Sequence, residues 1–224
     1  MINVILEMIP MMLGAALAPV WIILILLVLR SRNGLVKATA FVTGVTLVRL
    51  LQGIAFGYLF KASEDVGGTS GPSPVVSALL MIVGILLLIL AVKTLRQEDD
   101  PDAPPPKWMT LVESATPAKL LGLGAIITLV AAKLWVFTLS ALGTIRAANL
   151  GEVESWIAFA IYILGAESLI LLPILVYAAI PKQSEALLNS ATAWLEKYNR
   201  PITLAVSLIF GVLFLGKGIT GLLS

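Results

Sequence analysis

Residues 8–29 read MIPMMLGAALAPVWIILILLVL, a stretch without a single charged side chain. A helix that crosses a bilayer needs about 20 mostly apolar residues, because about 30 Å of hydrocarbon is covered at about 1.5 Å per residue. This stretch is therefore long enough for one crossing. The preceding residues, MINVILE, lack the positive segment that opens a signal peptide, so we expect a retained first helix.

The rest of the chain repeats this apolar pattern. Of its 224 residues, 59% are hydrophobic and 12% are charged, and the mean hydropathy is +1.01. Such a composition excludes a water-soluble globule. It predicts an all-α integral membrane protein with six transmembrane helices, at about 4–29, 35–60, 75–93, 118–145, 154–180 and 202–222.

The missing residue types exclude several functions. The chain has no histidine and no cysteine, so we expect no metal site, no thiol chemistry, no cofactor and no enzymatic activity. A net charge of +2 offers no basic face for nucleic acid, which is not an expected partner.

The distribution of basic residues predicts the orientation. The first, third and fifth loops carry ten lysines and arginines, whereas the second and fourth carry only Lys61 and Arg146. By the positive-inside rule the first group is cytoplasmic. We therefore expect a multi-pass protein of the bacterial plasma (inner) membrane with both termini outside.

Three segments organise the chain. Residues 1–94 form a first three-helix repeat, and 95–117, rich in acids and prolines, form a cytoplasmic linker. Residues 118–224 form a second three-helix repeat, which includes an amphipathic interfacial helix near 183–198.

The two halves resemble each other weakly. APVW before Ile22 matches AKLW before Val136, FVTG ending at Gly44 matches YILG ending at Gly165, and IVGILL around Gly84 matches IFGVLF around Gly211. The offsets of 114, 121 and 127 residues increase steadily, as loop insertions between two copies would produce. Because three crossings are an odd number, the second copy must be inverted, and such repeats place substrates near the midplane.

Helix-interrupting residues occur where such a site is expected. Pro10, Gly14 and Pro19 lie in the first predicted helix, and Pro173 lies in the fifth. A proline removes an amide donor and frees a carbonyl one turn earlier. The alternative is that each proline is only a kink, which membrane helices commonly tolerate.

Arg49, Lys133 and Glu167 fall near the centres of three predicted spans. A charge at that depth costs at least about 2.5–3.5 kcal/mol, so each should face the bundle interior. Pairing Glu167 with Arg49 leaves Lys133 as a surplus cation that favours an anionic group. The alternative is a structural network that holds the halves together. The candidate substrate-binding residues are Lys133, Arg49, Glu167, Pro19, Gly14 and the polar Thr46.

Several stretches together resemble the GAP family of the LysE superfamily, which groups with glycolipid-addressing and sulfolipid-addressing membrane proteins. They are residues 8–29, PPKWMTLVESATPAKLLGLGAI at 105–126, Lys133, LLPILVYAAIPKQSEALLNSATAWLEKYNRPI at 171–202 and IFGVLFLGKGITGLL at 209–223. The resemblance implies six helices in inverted repeats and export of amino acids, cations or lipid-linked molecules.

The chain departs from that family at one point. Related members carry Asn-Pro-Lys in the fourth helix, where this chain has Ala131, Ala132 and Lys133. The lysine is kept but the proline is missing, so the residues provide no reason for a break in this helix.

Two functions follow as hypotheses. The first is a secondary transporter that exports a small anionic or zwitterionic solute, or a lipid-linked molecule, with protons as coupling ions if Glu167 changes its protonation. The second is an accessory scaffold for lipid or glycolipid export that does not transport. Expected partners are membrane lipids and the substrate, and assembly as a homo-oligomer stays open.

Overall fold

Every regular element in the described part of the chain is an α-helix. The structure, a computed structural model, describes residues 1–64, 74–96 and 115–223. Its helices are α1 (Ile2–Ala16), α2 (Pro19–Arg30), α3 (Gly34–Glu64), α4 (Pro74–Arg96), α5 (Pro117–Val130), α6 (Ala132–Ala147), α7 (Glu152–Ala179) and α8 (Pro181–Leu223). The central residues 97–114 of the predicted linker lie outside the described residues.

The first predicted helix is broken in two. Its parts, α1 and α2, are bent by 62°. Pro19 has no amide hydrogen and its ring disfavours the helical conformation of the preceding residue. Ala18 accordingly has φ −122° and ψ 83°, and Pro19 opens α2. Pro10 and Pro173, by contrast, stay inside α1 and α7.

The fourth predicted helix is broken as well, although it contains no proline at that point. Its parts, α5 and α6, meet at Ala131 and are bent by 71°. The Trp135 indole N–H donates to the carbonyls of Thr128 at 3.1 Å and Leu129 at 2.9 Å. Trp135 thus satisfies carbonyls that the end of α5 would leave without partners.

Several helices are suited to a membrane. Among the described residues, Gly34–Gly57, Glu152–Ala179 and Lys197–Leu223 are each long and apolar enough to cross one. Counting each bent pair as one span brings the number to at most five. The predicted crossing at 75–93 falls in α4 and is not among these candidates, so six crossings remain a prediction.

Two tight turns mark opposite ends of the bundle. One joins α2 to α3 and contains Asn33 at φ 60°; the other joins α6 to α7 and contains Asn149 at φ 48°. Asparagine tolerates this left-handed conformation better than most residues. We call them the Asn33 end and the Asn149 end. α3 starts at the former and α7 at the latter. The two helices run antiparallel, because later residues of α3 contact earlier residues of α7, as in the pairs Thr46–Glu167 and Gly53–Phe159.

The predicted amphipathic segment near 183–198 is the first part of α8, which continues through Pro201 to Leu223. Arg200 donates to the carbonyls of Thr94 and Leu95 at 3.2 Å each, and so caps the end of α4. Leu188 and Leu195 pack into a buried cluster with α2. This part of α8 therefore covers the Asn33 end.

Candidate functional site

A buried ion pair joins α3 and α7. Arg49 is 1% exposed and Glu167 is 2% exposed, and Nε of Arg49 lies 3.3 Å from Oε1 of Glu167. The Thr46 hydroxyl donates to Oε2 of Glu167 at 2.8 Å. The predicted pairing of Glu167 with Arg49 is confirmed, and Thr46 is part of the same group.

Tyr162 extends this group to a third helix. Its hydroxyl accepts a 3.5 Å hydrogen bond from Nη1 of Arg49 and lies 3.3 Å from Oγ1 of Thr138 in α6. The guanidinium carbon lies 5.9 Å from the centre of the Tyr162 ring, within the range of a cation–π interaction. Arg49 therefore links α3 to α7 directly and to α6 through Tyr162.

Some polar atoms in this region have unused hydrogen-bonding capacity. Within the described residues, Nε of Arg49 and Oε1 of Glu167 face each other but form no hydrogen bond, and neither amide atom of Gln52 has a partner. Gln52 is 5% exposed and lies one turn after Arg49. Leaving buried polar atoms without partners is destabilising.

The other predicted site residues, Gly14, Pro19 and Lys133, lie at three different points of the fold and have no described contact with the ion pair. Gly14 lies in α1 where the rings of Phe137 and Phe210 occupy the space that a Cβ would take, so close packing accounts for it. Pro19 is buried at the break between α1 and α2. Lys133 is the second residue of α6, at the other break. Its side chain lies outside the described residues.

A cavity opens at the Asn149 end. Its volume is about 560 Å³, and its walls come from α3, α6 and α7. They are mostly apolar, with Gly53, Gly57, Leu142 and Trp156 among them, and also include Arg146 and Glu152. Sites for small ligands have volumes of about 300–1,000 Å³, with few polar groups among apolar walls.

Phe159 separates this cavity from the ion pair. Its ring lines the cavity and occupies the space that a Cβ on Gly53 would need. On the far side it stacks on Tyr162, with ring centres 6.0 Å apart and planes at 15°. Arg49, Thr46 and Glu167 are absent from the lining, so a ligand in this cavity would have to pass Phe159 to reach them.

Comparison with known proteins identifies the family. The family model of Sap, the sulfolipid-1-addressing protein (SfLAP), matches residues 8–220. The chain belongs to the sulfolipid-1-addressing protein family. The match covers both helix breaks and the ion pair, so these are parts of the family's domain. No curated protein and no solved structure is significantly similar to this chain.

Sequence reasoning missed two aromatic residues of this sulfolipid-1-addressing family member. Tyr162 and Phe159 lie in α7 five and eight residues before Glu167, and both are buried. The three-residue spacing between Phe159 and Tyr162, which places both rings on one face of α7, is the signal that could have found them. It was hidden because aromatic residues in an apolar helix are usually packing residues.

Proposed function

We propose that the chain is a secondary transporter of the LysE type. It would move a small anionic or zwitterionic solute, or a lipid-linked molecule, across the plasma membrane, without catalysing a reaction. The observation that carries the proposal is a cavity at the Asn149 end whose wall residue Phe159 stacks on Tyr162, next to a buried ion pair between the two halves.

Inverted repeats are supported by the way in which the helices pack. If α1 to α4 correspond to α5 to α8, the packing of α1 on α7 matches that of α5 on α3. The packing of α2 on α8 likewise matches that of α6 on α4, and that of α2 on α7 matches that of α6 on α3. Both halves also contain a broken helix followed by a turn with a left-handed asparagine.

Equivalent positions meet at the centre of this arrangement. The offset of 121 residues that relates Gly44 to Gly165 also relates Thr46 to Glu167, and these two form a hydrogen bond. A pseudo-twofold axis between α3 and α7 would bring such positions together. The ion pair therefore lies where two rocking halves would hinge.

The two ends differ, as an alternating-access mechanism requires. By the same offset, Phe159 corresponds to Ala38 and Gly53 corresponds to Ile174. Ala38 and Ile174 belong to a packed cluster at the Asn33 end, which also includes the consecutive buried residues Ile22–Leu29. Repeats that exchange conformations would close the cavity at the Asn149 end and open its counterpart at the other end.

Arg49 and Glu167 supply the charge chemistry of this cycle. In the closed pair, each neutralises the other in a low-dielectric environment. An anionic group that reached Arg49 past Phe159 would compete with the Glu167 carboxylate. Uptake of a proton by Glu167 would favour that exchange, and this is the proposed coupling to a proton gradient.

Flux through purified protein tests the proposal. The chain is reconstituted into vesicles of phosphatidylethanolamine and phosphatidylglycerol, with fluorescent phosphatidylglycerol and radiolabelled glutamate as probes. We expect Lys133→Ala to reduce the rate of the transported probe by about tenfold or more, through loss of a surplus cation at the midplane. Lys217→Ala, at an exposed position in α8, is the control. Unchanged flux from Lys133→Ala would contradict the assigned role.

An accessory role in lipid export is the second candidate. It is favoured by the closure of the ion pair, since Arg49 and Glu167 are almost completely buried and do not line the described cavity. A scaffold would produce no flux when purified alone and would copurify with a stable partner. The flux assay combined with pull-down from native membranes separates the two functions.

Cysteine labelling tests alternating access directly, because the chain has no native cysteine. At rest, a membrane-impermeant maleimide should modify Leu142→Cys in the cavity wall but not Ile174→Cys in the packed cluster. These labelling rates are then measured while the protein carries whichever probe the flux assay shows to be transported. We expect labelling of Ile174→Cys to rise about fivefold and that of Leu142→Cys to fall, as the population shifts between the two conformations. Labelling that is identical at rest and during flux would rule out rocking of these repeats.

A further inference from the structure

We infer that the break between α5 and α6 is an oxyanion site, formed by the first turn of α6 and the amide of Gln52. Its ligand would be a carboxylate, phosphate or sulfate group. The inference rests on the proposed function, because it assigns the head-group chemistry and one recognition residue of the proposed substrate. Gln52 was not among the predicted substrate-binding residues.

The first turn of α6 can donate to an anion. No described side chain caps this helix, whereas the hydroxyl of Thr116 accepts from Lys119 N at the start of α5. The first amides of a helix have no carbonyl partner within it, and its N-terminus carries a partial positive charge. Lys133 is the second residue of this turn. An uncapped N-terminus at mid-membrane depth is a favourable place for an oxyanion.

Gln52 lies at the depth of this break. α3 and α5 approach closely at Gly44 and Gly124, whose missing side chains leave room for the other helix's backbone. α3 starts at the Asn33 end, and Ala115 and Leu120 at the start of α5 pack into the buried cluster at the same end. Gln52 follows Gly44 by eight residues, and Ala131 follows Gly124 by seven. At 1.5 Å per residue, both lie about 10–12 Å beyond the crossing.

Gln52 also faces the break. Phe56, four residues later on the same face of α3, meets the ring of Trp135 with centres 5.8 Å apart. Trp135 is the residue whose indole joins α6 to the last carbonyls of α5. A side chain one turn before Phe56 on that face therefore points at the junction of α5 and α6.

The state of the Gln52 amide points to a ligand. It is almost completely buried, and neither its nitrogen nor its oxygen has a hydrogen-bond partner in the described part of the chain. A glutamine kept only for packing would be better replaced by methionine or leucine. An oxyanion would accept from its Nε2 and from the amides of α6 together, with Arg49 one turn away on α3.

Anion-dependent thermal unfolding of the full-length chain in detergent tests this site. Sodium sulfate and sodium phosphate are compared with sodium chloride at equal ionic strength, and phosphatidylglycerol is compared with phosphatidylcholine. Because sulfate stabilises most proteins, only the part of the Tm increase that depends on Gln52 counts. We expect Gln52→Glu, which places a like charge beside the anion, to weaken the apparent affinity by about tenfold or more.

Two further variants separate recognition from packing. Gln52→Met should lose the anion effect yet raise the anion-free Tm by about 2–4 °C, because it removes unpartnered buried polar atoms. Thr43→Val, on the exposed face of α3, should keep the anion effect. A Gln52-dependent response to sulfate or phosphate identifies a free oxyanion, and a response to phosphatidylglycerol alone identifies a lipid head group.

The inference is overturned if no probe gives a Gln52-dependent shift, or if Gln52→Met lowers the Tm and keeps the anion effect. Its failure is distinct from failure of the proposed function. Anion binding without flux would uphold the site and reject the transporter. Flux that is unchanged in Gln52→Glu would reject the site and leave the transporter.

Discussion

Replacing Arg49 with methionine is expected to lower the free energy of unfolding by about 3–5 kcal/mol, because it leaves the buried Glu167 without its counter-charge. Thr46 would still donate one hydrogen bond to the carboxylate, but that bond does not replace a cation. Denaturant unfolding in detergent, followed by tryptophan fluorescence, measures the change. Lys217→Met, which removes an exposed cation from α8, is the matched control and should change stability little.

The double variant Arg49→Met/Glu167→Leu decides what the pair is for. Apolar replacement of both members of a buried pair is often neutral or stabilising, so we expect stability to return to within about 1 kcal/mol of the native chain. Under the transporter proposal, flux stays lost in this stable protein. If the double variant transports normally, the pair only holds the halves together. If it stays as unstable as Arg49→Met, the pairing does not account for the loss.

The second large effect is expected at Gly124. A Cβ there would overlap the Phe41 carbonyl in the backbone of α3, which cannot move aside as a side chain could. We expect Gly124→Ala to destabilise the chain by about 1–3 kcal/mol, as measured in the same unfolding assay.

Gly122, two residues earlier in α5, is its matched control. A Cβ at Gly122 would meet no atom within 4 Å. Gly122→Ala should therefore stabilise α5 by up to about 1 kcal/mol through its higher helix propensity. Equal effects of the two substitutions would mean that the close approach of α3 and α5 is not as described.

The central charges were predictable because burial of a charge in an apolar span demands a partner. Glu167 lies about one helical turn from the position equivalent to Arg49, and only one acidic residue was available at that depth. Desolvation and the repeat offset therefore led to the observed pair. Tyr162 was not predictable in the same way, since its hydroxyl is in the site only because α6 brings Thr138 within reach.

The two breaks had different origins. Pro19 predicts an interruption by local sterics alone, since the residue before a proline leaves the helical region. The break at Ala131 is accompanied by a contact from the indole of Trp135, four residues further along, which satisfies the carbonyls of Thr128 and Leu129 after the helix has bent. The helix propensities of Ala131 and Ala132 do not include the effect of such a contact. These two residues therefore suggested a continuous helix.

The sequence alone predicts the apolar spans and the need to pair the mid-span charges, because both depend on the cost of placing a group in hydrocarbon. It also predicts the break at Pro19, because that break depends on local sterics. The apolar spans and the charges were enough to predict a helical membrane protein and to pair Arg49 with Glu167. Three other features depend on how distant segments pack together. They are the cavity beside Phe159, the burial of the Gln52 amide without a partner, and the capping of α4 by Arg200. Such contacts depend on the positions and angles at which whole helices cross. The spacing of residues along one helix does not determine these.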